Sequence, residues 1–217
     1  MSKSRQRIGI FGGTFDPPHI GHQILAMEAY DELKLNSLFW VLSPNPPHKL
    51  GKRITPLDSR IDMVRAAIMH DSVFEFSSVD IERPGPHYVV DTMEIFRKEN
   101  PEAELYFIMG GDSLRDLHTW HKPHEFLEEC DWLGVMHRPG DKIDLDDIEA
   151  DFPGISKKVK FIEAPLLEIS SNQIRKLIAQ NKPFRYYLPM EVFLIIVKHN
   201  LYKIDNGCDD HLPHNGK

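Results

Sequence analysis

Two histidines that follow a glycine-rich turn are the residues of this sequence best suited to hold an anion. The stretch from Gly9 to His22 reads GIFGGTFDPPHIGH. An apolar run predicts a strand over Arg7–Phe11, the glycines break it, and a helical pattern begins at about Ile20. Such a junction leaves unpaired backbone N–H groups at the positive end of a helix dipole. We therefore expect an anion such as a phosphate to bind there.

The residue types in this stretch support that expectation. Gly12 and Gly13 have no side chains that would keep a phosphate chain from the main chain. His19 and His22 lie three residues apart in the first helical turn, so both imidazoles can face one anion, and Gly21 keeps that face open. An anionic neighbour would raise the pKa of each imidazole, so both can be cationic beside phosphates. The pattern is neither a P-loop nor the dinucleotide fingerprint.

Composition limits the kind of partner. The 26 basic and 33 acidic residues of the 217-residue chain give a net charge of −7, which argues against a nucleic-acid-binding surface. The acidic stretch at 141–151 predicts a solvated excursion. Two cysteines, Cys130 and Cys208, are typical of a reducing cytoplasm. No stretch approaches the roughly 20 apolar residues of a membrane span, and residues 1–6 hold no signal core.

Strand and helix patterns alternate along the chain and predict an α/β fold. Further strands are expected at 38–42, 73–76, 105–109, 132–136 and 159–162, an extended segment at 78–83, and helices at 20–33, 57–68, 88–99 and around 192–196. Right-handed crossovers between such strands give a Rossmann-like open parallel sheet with helices on both faces. We expect a single domain over residues 1–202, with a C-terminal helical part from about 170, and a flexible tail over 203–217.

A second glycine turn, Gly110-Gly111-Asp112-Ser113, follows the strand at 105–109. In open α/β sheets, ligands bind at the carboxyl ends of the strands, so this turn is expected to face a ligand. Asp112 is either a helix cap or an acceptor for a ribose hydroxyl. Farther on, Trp120 lies in a polar stretch and either covers a small core or stacks on a flat ring; we favour stacking.

Two more segments carry residues suited to phosphate. The stretch Ser43–Lys49 follows the second strand and is either a proline-rich connector or part of the site, where Lys49 would be a mobile point charge. The stretch Leu167–Arg175 opens a helix with the strong capping residues Ser170 and Ser171. Arg175 falls in the first turn of that helix and would face the same ligand as its N–H groups.

Four segments, in this order, resemble one family. They are Gly12–Pro17 with His19–His22, Pro46–Lys49, Gly110–Leu114 with Trp120, and Ile169–Ser171 with Ile174-Arg175. The first and last resemble the nucleotidylyltransferase superfamily, whose hallmark is G-x-F-D-x-x-H-x-G-H. Together the four resemble the bacterial nicotinate mononucleotide adenylyltransferases, from about Ile8 to Tyr202.

The resemblance implies a nucleotidyltransferase of NAD biosynthesis. Such an enzyme transfers AMP from ATP to nicotinate mononucleotide, giving deamido-NAD and pyrophosphate. Mg²⁺ would arrive with ATP, held mostly by phosphate oxygens, with no metal ligand from the protein. The partners would be these substrates, without nucleic acid or membrane, and a homo-oligomer stays open.

The resemblance also implies roles for individual residues. Catalytic roles fall on His19, His22, Lys49 and Arg175. Contacts to ATP fall on Gly12, Gly13, Thr14, Phe15, His19, His22, Gly110, Asp112, Arg138, Ser170, Ser171 and Arg175. Contacts to the mononucleotide fall on Asp16, Lys49, Val89, Trp120 and His121, with Trp120 stacked on the nicotinate ring.

The sequence departs from the family at three places. Asn172 stands where threonine is common, His87-Tyr88-Val89 where Ser-Tyr-Thr is common, and His121 where tyrosine is common. These changes leave the reaction intact and weaken the preference for nicotinate over nicotinamide.

Three alternatives remain at this stage. The first is an adenylyltransferase of the same fold that acts on nicotinamide mononucleotide or another phosphate acceptor. The second is an aminoacyl-tRNA synthetase fragment, since His-Ile-Gly-His is also a signature of those enzymes, although the chain has no basic tRNA-binding domain. The third is a regulator that binds ATP without turnover, against which the two histidines and Arg175 argue.

Overall fold

A six-stranded, all-parallel sheet forms the centre of the protein. The computed structural model describes residues 5–45, 54–137, 143–165 and 167–203. The strands lie in the order β3-β2-β1-β4-β5-β6, and every neighbouring pair is parallel. Their bounds are β1 Arg7–Gly13, β2 Ser37–Leu42, β3 Phe74–Ser77, β4 Glu104–Gly110, β5 Trp132–His137 and β6 Val159–Glu163. The predicted open parallel sheet is confirmed.

Helices cover both faces of the sheet, as predicted. They are α1 Ile20–Glu32, α2 Leu57–Ile68, α3 Val89–Glu99, α4 Gly111–Arg115, α5 Pro123–Glu129, α6 Leu145–Asp151, α7 Ser171–Ala179 and α8 Met190–Lys198. One core cluster joins the sheet to α1, α2, α7 and α8, and a second joins it to α3, α5 and α6. Across the described ranges, no helix is both long and apolar enough to cross a membrane.

The strand order reverses beside β1. From β1 the chain adds β2 and then β3 on one side, and it returns to place β4 on the other side of β1. The crossovers leave β1 and β4 in opposite directions along the sheet, which opens a crevice at their carboxyl ends. The turns that follow Gly13 and Gly110 both lie at that edge.

The extended segment expected at 78–83 is wrong, because these residues form a turn before α3. The backbone N–H groups of Ile81 and Glu82 both donate to the Ser78 carbonyl, at 2.7 and 3.0 Å. The alternating pattern reflects a buried ion pair instead of a strand. Asp80, only 6% exposed, accepts hydrogen bonds from Arg83.

Arg83 connects this turn to the start of α3. Its guanidinium donates to the Tyr88 carbonyl at 3.0 Å and pairs with Asp91 at 3.1 Å. The Thr92 hydroxyl, one turn into α3, donates to Asp80 at 2.7 Å. This buried network therefore sets where α3 begins.

We predict that Asp80→Ala destabilises the protein by about 3 kcal/mol, because it leaves the Arg83 cation, whose side chain is only 16% exposed, without its main carboxylate partner. Urea unfolding monitored by circular dichroism measures this loss. Asp91→Ala is the matched control: the Asp91 side chain is 41% exposed, so its loss should cost no more than about 1 kcal/mol. Equal losses in the two variants would contradict the prediction.

Candidate active site

The two predicted histidines lie together at the start of α1. His19 is the N-cap of this helix, and its backbone N–H donates to Nδ1 of His22 at 3.1 Å. The two imidazole rings are stacked, with their centroids 3.6 Å apart. Because Nδ1 of His22 accepts a hydrogen bond, its neutral imidazole carries the proton on Nε2. That N–H can donate to an anion.

Burial makes His19 different from its neighbour. The residue is 6% exposed, and burial lowers the pKa of its imidazole from 6.5 to about 4. Within the part of the chain that the structure describes, its Nδ1 atom has no hydrogen-bond partner. Burial therefore favours the neutral form of His19, since desolvation disfavours the charged form. The expectation that both histidines are cationic beside phosphates stays a prediction.

Gly21 provides the space for this ring. A Cβ atom at position 21 would lie 3.1 Å from Nδ1 of His19 and 3.2 Å from its Cε1, closer than ordinary van der Waals contact. A side chain here would require the His19 ring to move by a few tenths of an ångström. Gly21 thus leaves room for the His19 ring in its observed position.

A cavity of about 330 Å³ joins the starts of α1 and α7. It is lined by residues from β1, α1, β5 and the segment that leads into α7, namely Phe11, His19, Gly21, His22, Ile24, Leu25, Met136, Ala164, Pro165, Leu167, Ile169, Ser170 and Ser171. The structure therefore brings both histidines together with the two predicted serines. The cavity has an apolar side and two helix N-termini, a combination suited to a nucleotide.

Helix α7 is fixed to the turn after β1. Ser170 caps this helix by accepting from the Gln173 N–H at 3.2 Å. Ser171 donates from its hydroxyl to the Pro17 carbonyl at 2.8 Å, and Arg175 donates to the Asp16 carbonyl at 2.7 Å. Arg175 thus lies against the turn that carries the histidines.

The turn itself is held by an aromatic side chain. Phe15 adopts a positive φ of 46° and is 2% exposed. Its ring packs against Trp40, at a centroid distance of 5.0 Å, and against His22, at 5.2 Å. A Cβ at Gly13 would lie 2.8 Å from the Phe15 ring. Phe15 is predicted to contact ATP, but its side chain is part of the core and packs against His22.

Asp16 is buried rather than open to the cleft. The residue is 5% exposed, and its carboxylate accepts hydrogen bonds from the Tyr202 hydroxyl at 2.7 Å and the Thr55 N–H at 3.3 Å. Burial and the Asp16 charge raise the pKa of Tyr202. The Asp16 carboxylate joins the segment after α8 and the segment before α2 to the turn. Tyr202 and Thr55 are partners that the sequence did not reveal.

Sequence reasoning also missed Arg60, which lies on α2 beneath the turn and is 2% exposed. A signal was present, since position 60 shares the helical spacing of the buried residues Met63, Val64 and Ala67. An arginine within an otherwise apolar stripe indicates a buried partner for its guanidinium.

The second glycine turn lies at the end of β4, as predicted. Asp112 is the second residue of α4, and Gly110 occupies the N-cap position. The helix-cap interpretation of Asp112 is therefore wrong, because its side chain lies past the position from which a cap bonds. The Asp112 carboxylate is exposed and pairs with Arg115.

Trp120 has more apolar cover than its sequence neighbours suggest. Its ring packs against Phe126, at a centroid distance of 5.2 Å, and edge-on against Phe107, at 6.0 Å. Beside it, His121 stacks on Tyr88 at 4.0 Å. Val89, the first residue of α3, packs against the same core cluster as Trp120. The predicted mononucleotide residues Val89, Trp120 and His121 thus share one region.

Two further predicted site residues, Lys49 and Arg138, lie outside the described residues.

We predict that the His19 imidazole titrates with a midpoint near 4 in the ligand-free protein, a shift worth about 3 kcal/mol from its unfolded-state pKa. The unfolded chain takes up this proton near pH 6.5, so the fold loses that stability as the pH falls from about 6.5 towards 4. Two-dimensional NMR of the histidine side chains, assigned with a His19→Gln variant, measures the midpoint. A midpoint near 6.5 would contradict the buried, neutral imidazole.

Comparison with known proteins agrees with this geometry. The model of the cytidylyltransferase-like family matches residues 10–177. Among curated proteins, a probable nicotinate-nucleotide adenylyltransferase of Thermomicrobium roseum is 43% identical, covering 91% of this chain and 92% of its own length. One of Desulfitobacterium hafniense is 40% identical, covering 92% and 97%.

A solved structure shares the fold. Plasmodium falciparum nicotinic acid mononucleotide adenylyltransferase, complexed with NaAD, superimposes with a TM-score of 0.75 at 23% identity, over 91% of this chain and 98% of that one. The sequence relatives span nearly the whole chain, which favours an adenylyltransferase over an aminoacyl-tRNA synthetase fragment. The family model and these relatives together show that the chain belongs to the cytidylyltransferase-like family, as a relative of the nicotinate-nucleotide adenylyltransferases.

Proposed function

We propose that this protein transfers AMP from ATP to nicotinate mononucleotide, forming deamido-NAD and pyrophosphate in NAD biosynthesis. The observation that carries the proposal is the pair of helix N-termini around one cavity, with His19 and His22 at one and Ser170 and Ser171 at the other. Two such termini can bind successive phosphates of a polyphosphate. The names of the sequence relatives support the same activity.

The chemistry requires positioning more than a reactive side chain. An oxygen of the mononucleotide phosphate attacks the α-phosphorus of ATP, a new P–O bond forms, and the bond to the leaving pyrophosphate breaks. The attacking phosphate is already a nucleophile at neutral pH, so no covalent enzyme intermediate is needed. The protein supplies in-line geometry and stabilises the charge that develops on the leaving group.

The residues around the cavity can supply that charge stabilisation. His22 would donate from Nε2 to a phosphate oxygen, and Arg175 lies against the turn that bears it. A bound polyphosphate would raise the pKa of His19 from about 4, so that its imidazole gains a proton as the anion arrives. In the proposed complex the backbone of Gly12, Gly13 and Thr14 approaches the phosphates.

The acceptor would lie on the α3 side of the crevice. We place its ring against Trp120, beside Val89 and His121, and the ribose of a nucleotide against Asp112, whose carboxylate is exposed. By motif, Lys49 and Arg138 would complete the phosphate contacts. Both oxygens of Asp16 already hold hydrogen bonds, so its proposed effect on substrate runs through the turn.

Mg²⁺ fits this site as part of the substrate. The cavity presents imidazoles and hydroxyls at two helix N-termini, groups that donate to phosphate oxygens. We therefore propose that the ion enters with ATP and neutralises part of the polyphosphate charge. The two cysteines favour a reducing compartment, so we place the reaction in the cytoplasm.

Nicotinamide mononucleotide is the alternative acceptor. Val89 has no hydroxyl where the family commonly has threonine. His121 stands where the family commonly has tyrosine, and its ring stacks on Tyr88. Neither change affects the phosphate-binding side, so the choice between the two acceptors is separate from the reaction itself.

The test is release of pyrophosphate with ATP and Mg²⁺, measured in parallel with nicotinate and nicotinamide mononucleotides. We expect a kcat/KM for the nicotinate form at least about tenfold higher, a discrimination of about 1.4 kcal/mol. Comparable rates would contradict the preference for nicotinate mononucleotide and would still support AMP transfer to a pyridine mononucleotide. No release with either acceptor would contradict the proposed function.

We predict that His22→Ala lowers kcat by about 10²–10³-fold and changes the KM for the mononucleotide by less than about threefold, because its donor acts on developing charge. Steady-state kinetics on a variant with a matched melting curve measures this. His70→Ala is the control, since His70 is exposed and pairs with Glu191 on α8, and it should keep full activity. Intact turnover in folded His22→Ala would remove His22 from the reaction.

A further inference from the structure

Arg60 is the most deeply buried charged side chain near the site that the proposed mechanism does not use. It projects from the first turn of α2 and is 2% exposed. Burial lowers the pKa of its guanidinium, and the nearby Asp16 charge opposes that shift. A guanidinium keeps its proton in proteins, so a full cation lies beneath the turn. Its partners are carbonyl oxygens.

Four carbonyl groups from three separate segments accept hydrogen bonds from Arg60. In the segment that leads into α2, the Thr55 carbonyl accepts from Nε at 3.0 Å. At the end of β2, Nη1 donates to Ser43 at 2.8 Å and Nη2 to Pro44 at 2.7 Å. In the turn after β1, Nη1 also donates to Thr14 at 3.3 Å. One side chain therefore fixes the relative positions of all three segments.

The contact to Thr14 matters most for the site. The turn that begins there carries Asp16 and Pro17, whose carbonyls receive the hydrogen bonds from α7. His19, the N-cap of α1, follows two residues later. Arg60 hydrogen-bonds to this turn from α2, and Ser171 and Arg175 hydrogen-bond to it from α7. The position of the histidine pair therefore depends on both helices.

We propose that Arg60 is a positioning residue for the adenylyl transfer: it fixes the turn after β1 against the end of β2, and so places His19 and His22 relative to the phosphates. This inference rests on the proposed function. The reaction gains its rate from geometry, and a displacement of about 1 Å can cost about 10²-fold in rate. Arg60 acts through the backbone and does not need to touch substrate.

Lysine cannot replace arginine here. The guanidinium offers five N–H donors in a rigid plane, whereas an ammonium offers three donors from one point. A lysine at position 60 would keep the charge and leave carbonyls of the three segments unpaired or displaced. The Arg60→Lys variant therefore separates the effect of the planar guanidinium geometry from the effect of the positive charge.

The experiment compares Arg60→Lys with Arg65→Lys. Arg65 is an exposed arginine on the same helix, with its guanidinium over the Phe76 ring at 4.9 Å. With ATP and nicotinate mononucleotide, we expect Arg60→Lys to lower kcat by at least about tenfold, with each KM changed by less than about threefold. Arg65→Lys should keep the wild-type kcat. Melting curves establish that both variants are folded at the assay temperature.

A second variant, Arg60→Ala, tests the same side chain by chemical rescue. Removal of the side chain leaves a buried space that guanidinium from solution can enter, so added guanidinium should restore part of the lost kcat. A purely structural role would instead lower the melting temperature and leave the kcat of the folded enzyme unchanged. Methylammonium at equal concentration is the control for charge alone, and it should restore less.

Three results would overturn the proposal. They are a kcat within about twofold of wild type in either folded variant, a loss confined to KM, and failure of both variants to fold, which would make Arg60 a residue of stability alone. Wild-type protein assayed alongside keeps the proposed function separate: if it releases no pyrophosphate with either mononucleotide, the function fails, whatever the variants show.

Discussion

One constraint places the segments proposed to bind the ligands: β1 pairs with β2 on one side and β4 on the other, and all six strands run parallel. The carboxyl ends of the central strands therefore meet at one edge, where the crossovers diverge; open α/β sheets bind their ligands at such an edge. The turns after Gly13 and Gly110 open there. Helix α7, far along the chain, reaches the same edge by packing on the β1 turn.

Buried polar groups hold that edge in place, and each has a specific partner. Arg60 binds four carbonyls, Asp16 binds Tyr202 and Thr55, and Asp80 binds Arg83 and Thr92. A buried polar group without a partner costs more than its hydrogen bond gains, so such networks favour one arrangement of the backbone. Three buried atoms are exceptions among the described residues, since Nδ1 of His19, Nε1 of Trp40 and Nδ1 of His87 have no hydrogen-bond partner. Burial lowers the pKa of His19 to about 4, and in the proposed complex a bound anion would raise that pKa again.

The sequence predicted the local parts of the site well. The strand, glycine turn and helix of the first motif occur where expected, because glycine and helix-start preferences act over a few residues. The strands were placed within about two residues, which is the usual precision at element ends. The errors came where a long-range contact replaced a local preference. Ser78–Arg83 alternates like a strand, yet the pairing of Asp80 with Arg83 and Thr92 turns it into a loop.

By itself, the sequence determined the fold class, the family and the place of the histidine pair at the start of α1, since hydrophobic periodicity and the spacing of a motif depend on neighbouring residues. Tertiary structure alone decided which partners the buried polar residues would meet. Nothing in the spacing of Arg60, Asp16 and Tyr202 shows that they meet, because their contacts cross from one segment of the chain to another. It also decided the protonation of His19, because desolvation depends on what packs around the ring and not on the ring itself.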